Sequence, residues 1–200
     1  MNYNVLETNI YIYHNMLDND FIAKEKIVEW IDSTNYLCNE DSLISPWKQW
    51  KTNDGYIFGE QKTLKHGNIE KNDSMESKIY FLIKNSLKSA ANHYKEDKNI
   101  EIGGMSPIPI NKYYTEKEMG SHVDNYNNDP NPTISALLYL NDDYVGGDLY
   151  FKEQYINIKP KIGDIVIFPS REPYFHQSKI VTSGTKYMSA IFFNKKYEKE

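Results

Sequence analysis

Two of the five histidines in this 200-residue chain stand where their spacing allows metal chemistry. The first is in "GSHVDNYNNDP", residues 120–130, where His122 and Asp124 are two positions apart. Side chains two apart on a strand project to one face, so an imidazole and a carboxylate there point at the same place. H-x-D by itself is weak, because a surface histidine beside a turn-capping aspartate is spelled the same way.

His176, in "REPYFHQSKIV", interrupts an otherwise apolar strand pattern. Taken singly it reads as a core histidine bonded to a backbone carbonyl. Two histidines and one carboxylate on one face form the set that holds non-haem Fe(II) with open positions, whereas zinc usually completes a tetrahedron. Lys186 follows His176 by ten residues and alternates with Met188, Ala190 and Phe192, which turns it inward. A buried ammonium needs an anion. If the strands carrying His176 and Lys186 form a hairpin turning near Thr182–Gly184, the two lie about four residues apart along the barrel, roughly 13 Å. A lysine side chain covers about half of that. The remaining gap suits a five-carbon dicarboxylate held by metal at one end and ammonium at the other.

The bulk properties narrow the classes. At 23.5 kDa the chain fits a single domain, 1–200. It is 40% hydrophobic and 26% charged, a globular balance. A net charge of −5 argues against a nucleic-acid footprint. Cys38 is the only cysteine, which excludes an internal disulfide and zinc sites built on paired thiolates. The first residues lack the pattern of a signal peptide, and the longest apolar run, "ALLYL", is too short to cross a bilayer. The expectation is a soluble, cytoplasmic protein with neither nucleic acid nor membrane as partner.

Two stretches carry helical periodicity. Leu17, Phe21, Val28 and Ile31 mark the first, with Asp18 or Asn19 as cap. Residues 74–96 form the second, with Asp73 and Glu76 at capping-box spacing. Residues 45–73 read as a long loop with a hairpin at Asp54-Gly55, and Trp47, Trp50, Tyr56 and Phe58 offer an aromatic wall. Beyond residue 99 the chain reads as short strands with turn signals, which predicts a β-barrel or sandwich over about 99–194, supported by 1–98.

With these residues in view, the sequence resembles the Fe(II)/2-oxoglutarate dioxygenases, in particular their prolyl 4-hydroxylase-like branch. "HVD", "LLYLNDDYVGGDLYF", "IKPKIGDIVIFP" and "HQSKIVTSGTKY" carry the resemblance, in the family's order. It implies an α+β fold, a double-stranded β-helix (jelly-roll barrel) with two supporting N-terminal helices. It implies His122, Asp124 and His176 as iron ligands and Lys186 as the anchor of the distal carboxylate of 2-oxoglutarate. Tyr113, or Tyr114 if the register slips by one, stands at the family's co-substrate tyrosine, and Ser135 where relatives carry a co-substrate threonine. Met119, Tyr187 and Phe192 depart from the family's usual aromatics.

The implied reaction consumes O2 and 2-oxoglutarate, releases succinate and CO2, and hydroxylates an unactivated C–H bond, with ascorbate as reductant. A prolyl residue in a peptide or protein is the first substrate expectation. A free amino acid, a lysyl side chain or another small metabolite is the alternative with the same chemistry. A non-catalytic barrel that binds metal and dicarboxylate is the alternative of another class.

Overall fold

The computed structural model describes residues 1–17, 27–33, 47–64, 75–125 and 131–195. Strands β1 (Tyr3–Glu7) and β2 (Ile10–Tyr13) open the chain, followed by helix α1 (Ile27–Ser33). A hairpin of β3 (Lys48–Lys51) and β4 (Ile57–Leu64) leads to the long helix α2 (Met75–Lys98). Next come β5 (Ile108–Tyr113), β6 (Met119–His122), β7 (Ile134–Tyr139), β8 (Val145–Gly146) and β9 (Leu149–Phe151). The chain continues through β10 (Ile156–Ile158), β11 (Ile165–Pro169), β12 (His176–Ser178), β13 (Val181–Ser183) and β14 (Lys186–Phe193). The expected caps at Asp18, Asn19 and Asp73, and Cys38, lie outside the described residues.

Eight strands form one antiparallel sheet in the order β1-β2-β11-β7-β14-β5-β4-β3, and β10-β9-β12-β6 form a smaller one. Period-two alternation sorts the large sheet's side chains. Ala136, Leu138, Ile165 and Ile167 face α2, whose stripe of Ile79, Ile83, Leu87, Ala90, Ala91 and Tyr94 covers them. Leu137, Tyr139, Val166 and Phe168 face the small sheet and meet Leu149 and Phe151. Each Leu, Ile or Phe so buried contributes roughly 2 kcal/mol relative to exposure. Two sheets enclosing an apolar interior, with helices on one outer face, make the double-stranded β-helix expected above.

Two features differ from the sequence expectation. The N-terminal "YNVLE" and "IYIY" are strands; β2 is buried on both faces because Tyr11 and Tyr13 lie in the core shared with α2, while Ile10 and Ile12 lie in the barrel interior. Of the first expected helix, Ile27–Ser33 is helical and Leu17 packs in the same core, while residues 18–26 lie outside the described residues. The strands of His176 and Lys186 are not a hairpin. β12 pairs β6 and β9 in the small sheet, whereas β14 pairs β5 and β7 in the large one. Between them the chain crosses sheets through β13, which pairs with β8. Lys186 therefore reaches His176's strand across the barrel interior.

The Gly-Gly turn has a steric reason. Gly146 and Gly147 both adopt positive φ, at 75° and 66°. A side chain on Gly146 would strike the Ile180 carbonyl, and one on Gly147 would press on the Tyr144 ring and the Lys186 stem. The turn thus brings backbone against the buried lysine.

Candidate active site

His122 ends β6 directly opposite His176 on β12, and their rings lie 4.4 Å apart between centroids. Asp124 stands on the bend just past the strand, so its position owes more to tethers than to strand alternation. Asn125 N donates to the Ser170 carbonyl at 2.8 Å, and Asn125 Nδ2 to that of Pro132 at 3.0 Å. The Ser135 hydroxyl donates to Asp124 Oδ2 at 2.6 Å and also meets the Ser170 hydroxyl at 2.8 Å.

The three candidate ligand atoms all lie within 4.8 Å of one another. His122 Nε2 is 3.4 Å from Asp124 Oδ1, and His176 Nε2 is 3.6 Å from Asp124 Oδ2. Those separations approach the roughly 3 Å edge of an octahedron built on bonds of about 2.1 Å. Both rings have their other nitrogen engaged by backbone: His122 Nδ1 with Gly120 O at 2.8 Å, His176 Nδ1 with Tyr174 O at 3.2 Å. A carbonyl can only accept, so each Nδ1 carries the proton and each Nε2 keeps its lone pair for the shared centre. Two nitrogens and one carboxylate oxygen, with no thiolate, fit ferrous iron with positions left open.

The electrostatics favour a cation here. Burial works to raise the Asp124 carboxyl, but the His122 and His176 imidazoles and the Ser135 hydroxyl outweigh it and hold it below the usual range. Burial works to lower His122, yet Asp124 and the Gly120 carbonyl overcome it and its pKa rises. His176 falls, because burial and the neighbouring His122 together exceed the pull of Asp124.

Lys186 is 0% exposed. Its Nζ donates to Gly147 O at 2.6 Å and Ser178 Oγ at 2.8 Å, and it faces the rings of Tyr113 and Tyr139, each at 5.3 Å. Ser178 is two residues beyond His176 on β12, about 7 Å along one strand face. The ammonium thus stands about one short dicarboxylate away from the histidine. Asn141 holds both flanks of the lysine: its Nδ2 donates to Thr185 O at 2.7 Å, and its Oδ1 accepts from Tyr187 N at 2.7 Å. That bond pair gives the Y-L-N-D motif its physical content. Burial pulls the Lys186 ammonium down to about 7, against a weaker upward pull from Asp148.

Beside the ammonium, the hydroxyls of Tyr139 and Tyr144 are buried with no hydrogen-bond partner among the described residues. Such orphans cost stability, and an anion's oxygens would satisfy them. Tyr139 lines the cavity and was not singled out from sequence; its orphaned hydroxyl shows only once the barrel closes.

The cavity holds about 260 Å³ and contains the triad, Tyr113 and Lys186. That is below the ~300–1,000 Å³ of typical ligand pockets, room for a small dicarboxylate and one side chain. A wider groove of about 690 Å³ runs along α2 past Lys84 and Lys88, but it contains none of the triad. Tyr113 projects into the cavity, with burial and Asp124 pushing its phenol up. Tyr114, the next residue, turns away toward Lys112. Ser135 is not on the cavity wall but on Asp124. Met119 and Phe192 line the cavity, whereas Tyr187 points away and donates to Asp32 at 2.6 Å. Of the loop aromatics, Trp50 lines the cavity edge-on to Tyr113 and stacks onward through Phe58 to Tyr56. Trp47 instead packs on the outer face near Tyr187.

Residues 108–194 match the 2OG-Fe(II) oxygenase superfamily, a span containing all three triad residues and Lys186. Over this barrel segment the chain is similar to that superfamily. The chain is also similar to hydroxylases. The chain is 41% identical over 64 residues to prolyl 3-hydroxylase 2 of Homo sapiens, covering 30% of this chain and 9% of that protein. It is 32% identical over 94 residues to a PKHD-type hydroxylase of Acinetobacter baumannii, covering 42% and 40%. The chain therefore spans well under two thirds of these relatives. Among solved structures, a prolyl hydroxylase from Trichoplax adhaerens, in complex with a hypoxia inducible factor peptide fragment, superposes with TM-score 0.69 at 15% identity, covering 94% of this chain and 84% of that one. A Pseudomonas putida prolyl-4-hydroxylase gives 0.63 at 15% identity, with 95% of each covered. At such identity the likeness is one of fold, and it is the same double-stranded β-helix. No described helix is long and apolar enough to cross a membrane.

Proposed function

We propose that this chain is an Fe(II)- and 2-oxoglutarate-dependent dioxygenase that hydroxylates a residue of a peptide or protein, a prolyl residue in the first instance. The observation that carries this is one cavity holding both a two-histidine, one-carboxylate donor set and a buried lysine two strand positions away. Similarity of fold to prolyl hydroxylases, one of them in complex with a peptide, supports a peptide substrate.

His122, Asp124 and His176 would hold the iron through Nε2, a carboxylate oxygen and Nε2. Bound there with 2-oxoglutarate and O2, the iron supplies oxidative decarboxylation to succinate and CO2 and insertion of one oxygen into a C–H bond. Ser135 acts through Asp124, its hydroxyl fixing which carboxylate oxygen turns to the metal. Lys186 receives the distal carboxylate, with the Tyr139 hydroxyl as a second donor and Tyr113 packing its carbon chain. Asn141 keeps Lys186 in place. The apolar wall of Leu137, Met188 and Phe192 excludes water from the reacting centre. Ascorbate would serve as the reductant for such a site, and a reducing cytoplasm would suit that chemistry. The support region 1–98 and the barrel are read as one domain, a reading supported by the core that α2 shares with the large sheet.

The test is an assay with Fe(II), 2-oxoglutarate, O2 and ascorbate. Succinate is expected to form, faster with proline-containing peptides, with a mass gain of one oxygen on the peptide. No succinate under any condition would favour the non-catalytic barrel.

A further inference from the structure

The cavity wall opposite the histidines carries two carboxamides that neither the triad nor the lysine uses. Gln61 on β4 and Asn111 on β5 face each other in register, and Gln61 Nε2 donates to Asn111 Oδ1 at 2.8 Å. Both line the cavity, and Asn111 is only 2% exposed. One bond between two carboxamides leaves an acceptor on Gln61 and donors on Asn111. Exchanging O and N in both groups reverses the bond and still leaves an acceptor on one residue and donors on the other. The complement of that pair is an amide, which offers one N–H and one C=O.

Charge points the same way. Among the lining residues, the ionisable groups other than tyrosine are Asp124, Lys186 and the two imidazoles. In the proposed function the iron and the co-substrate engage all four. The wall around the carboxamides is Trp50, Pro109, Ala190 and Phe192, apolar and neutral. A free amino acid would bring an ammonium and a carboxylate there, and a lysyl side chain an ammonium, with no counter-charge among the described lining residues.

We infer that Gln61 and Asn111 hold a backbone amide beside the residue being oxidised, so that the pocket selects uncharged, peptide-bound residues over free amino acids and lysyl side chains. This rests on the proposed dioxygenase reading. The pair is strand-borne and cross-bonded, so it meets an incoming amide already oriented.

The experiment is anaerobic calorimetry on the Fe(II)-loaded protein, adding 2-oxoglutarate first. An N-acetylated, C-amidated alanine pentapeptide with a central proline, free proline and free lysine are then titrated separately. The capped peptide is expected to bind at least tenfold more tightly than either free amino acid. Asn111→Leu and Gln61→Leu, which break the pair from opposite sides, are each expected to weaken peptide binding about 10- to 100-fold. Gln61 is only partly buried, so its variant keeps the test open if Asn111→Leu fails to fold. The inference is overturned if either folded variant binds the peptide within twofold of the parent, or if free proline or lysine binds as tightly. If 2-oxoglutarate binds the parent and the capped peptide does not, the amide assignment falls alone. If 2-oxoglutarate does not bind, the dioxygenase reading falls with it.

Discussion

His176→Ala is expected to weaken Fe(II) binding by more than about 100-fold and to abolish succinate formation. Outer partners of a metal ligand are worth about 10–100-fold in affinity, and His176 is a ligand itself in this account. Its Nε2 is 3.6 Å from Asp124, and no described histidine beyond His122 and His176 belongs to the cluster. The ring also packs on Phe168 at 4.6 Å between centroids, so its removal leaves a gap worth roughly 2–3 kcal/mol of stability. His122→Ala removes the other imidazole from a more open place, its side chain 18% exposed against 5% for His176. Both variants should lose iron alike while differing in thermal midpoint. Metal content after anaerobic Fe(II) loading and desalting, read beside a melting curve, checks this. Retention of stoichiometric iron by either folded variant would remove it from the ligand set.

Lys186→Met should separate binding from stability in opposite directions. An ammonium that grips a carboxylate contributes roughly 1.5–3 kcal/mol per charge-assisted bond, so affinity for 2-oxoglutarate should fall about 10- to 150-fold. Without its anion, however, the ammonium is a burden. A shift from 10.5 to about 7 corresponds to roughly 5 kcal/mol of disfavoured charge in the folded state below pH 7. Methionine removes that burden and forfeits bonds to Gly147 and Ser178. The co-substrate-free variant should therefore be more stable than the parent at pH 6, by about 1–3 kcal/mol after those losses.

The sign with pH follows from the depressed pKa. Below about 7 both folded and unfolded parent carry the proton and the penalty is complete. Between about 7 and 10.5 the unfolded chain binds the extra proton, so the parent's stability rises with pH and the variant's advantage shrinks. Co-substrate affinity of the parent runs the other way. Above pH 7 the empty pocket holds neutral lysine, and binding must recruit a proton, so the dissociation constant should rise toward tenfold per pH unit. Melting curves and calorimetry from pH 6 to 9 read both slopes. A variant less stable than the parent at pH 6, with unchanged 2-oxoglutarate affinity, would contradict the role given to Lys186.

Much of the barrel was legible because its strands obey period two and its long helix period 3.6. "ISALLY", "IVIF" and the stripe from Ile79 to Tyr94 all lie where their patterns put them. The spacing of His176 and Lys186 was legible, but not their sheets. Local turn chemistry reports that a chain reverses, not which strand it then pairs with, and three-residue strands leave little pattern to decide. Thus "TSG" looked like a hairpin and is a crossing. Strand β2 is hard to read because Tyr and Ile alternate there with both faces buried, which blurs the two-fold signal, and β1 because it is exposed along nearly its whole length. Gln61 and Asn111 are ordinary polar residues until cross-strand register brings them together. Ser135 was assigned from its position in a motif to the co-substrate, yet its hydroxyl meets Asp124, eleven positions earlier, through a contact no local spacing encodes.

The most direct test is a crystal grown without oxygen in the presence of Fe(II) and 2-oxoglutarate, with iron located by anomalous scattering. One iron is expected at about 2.0–2.2 Å from His122 Nε2, His176 Nε2 and an Asp124 oxygen, with the far carboxylate on Lys186 Nζ. Iron bound away from those three atoms, or a carboxylate that leaves Lys186 untouched, would contradict it.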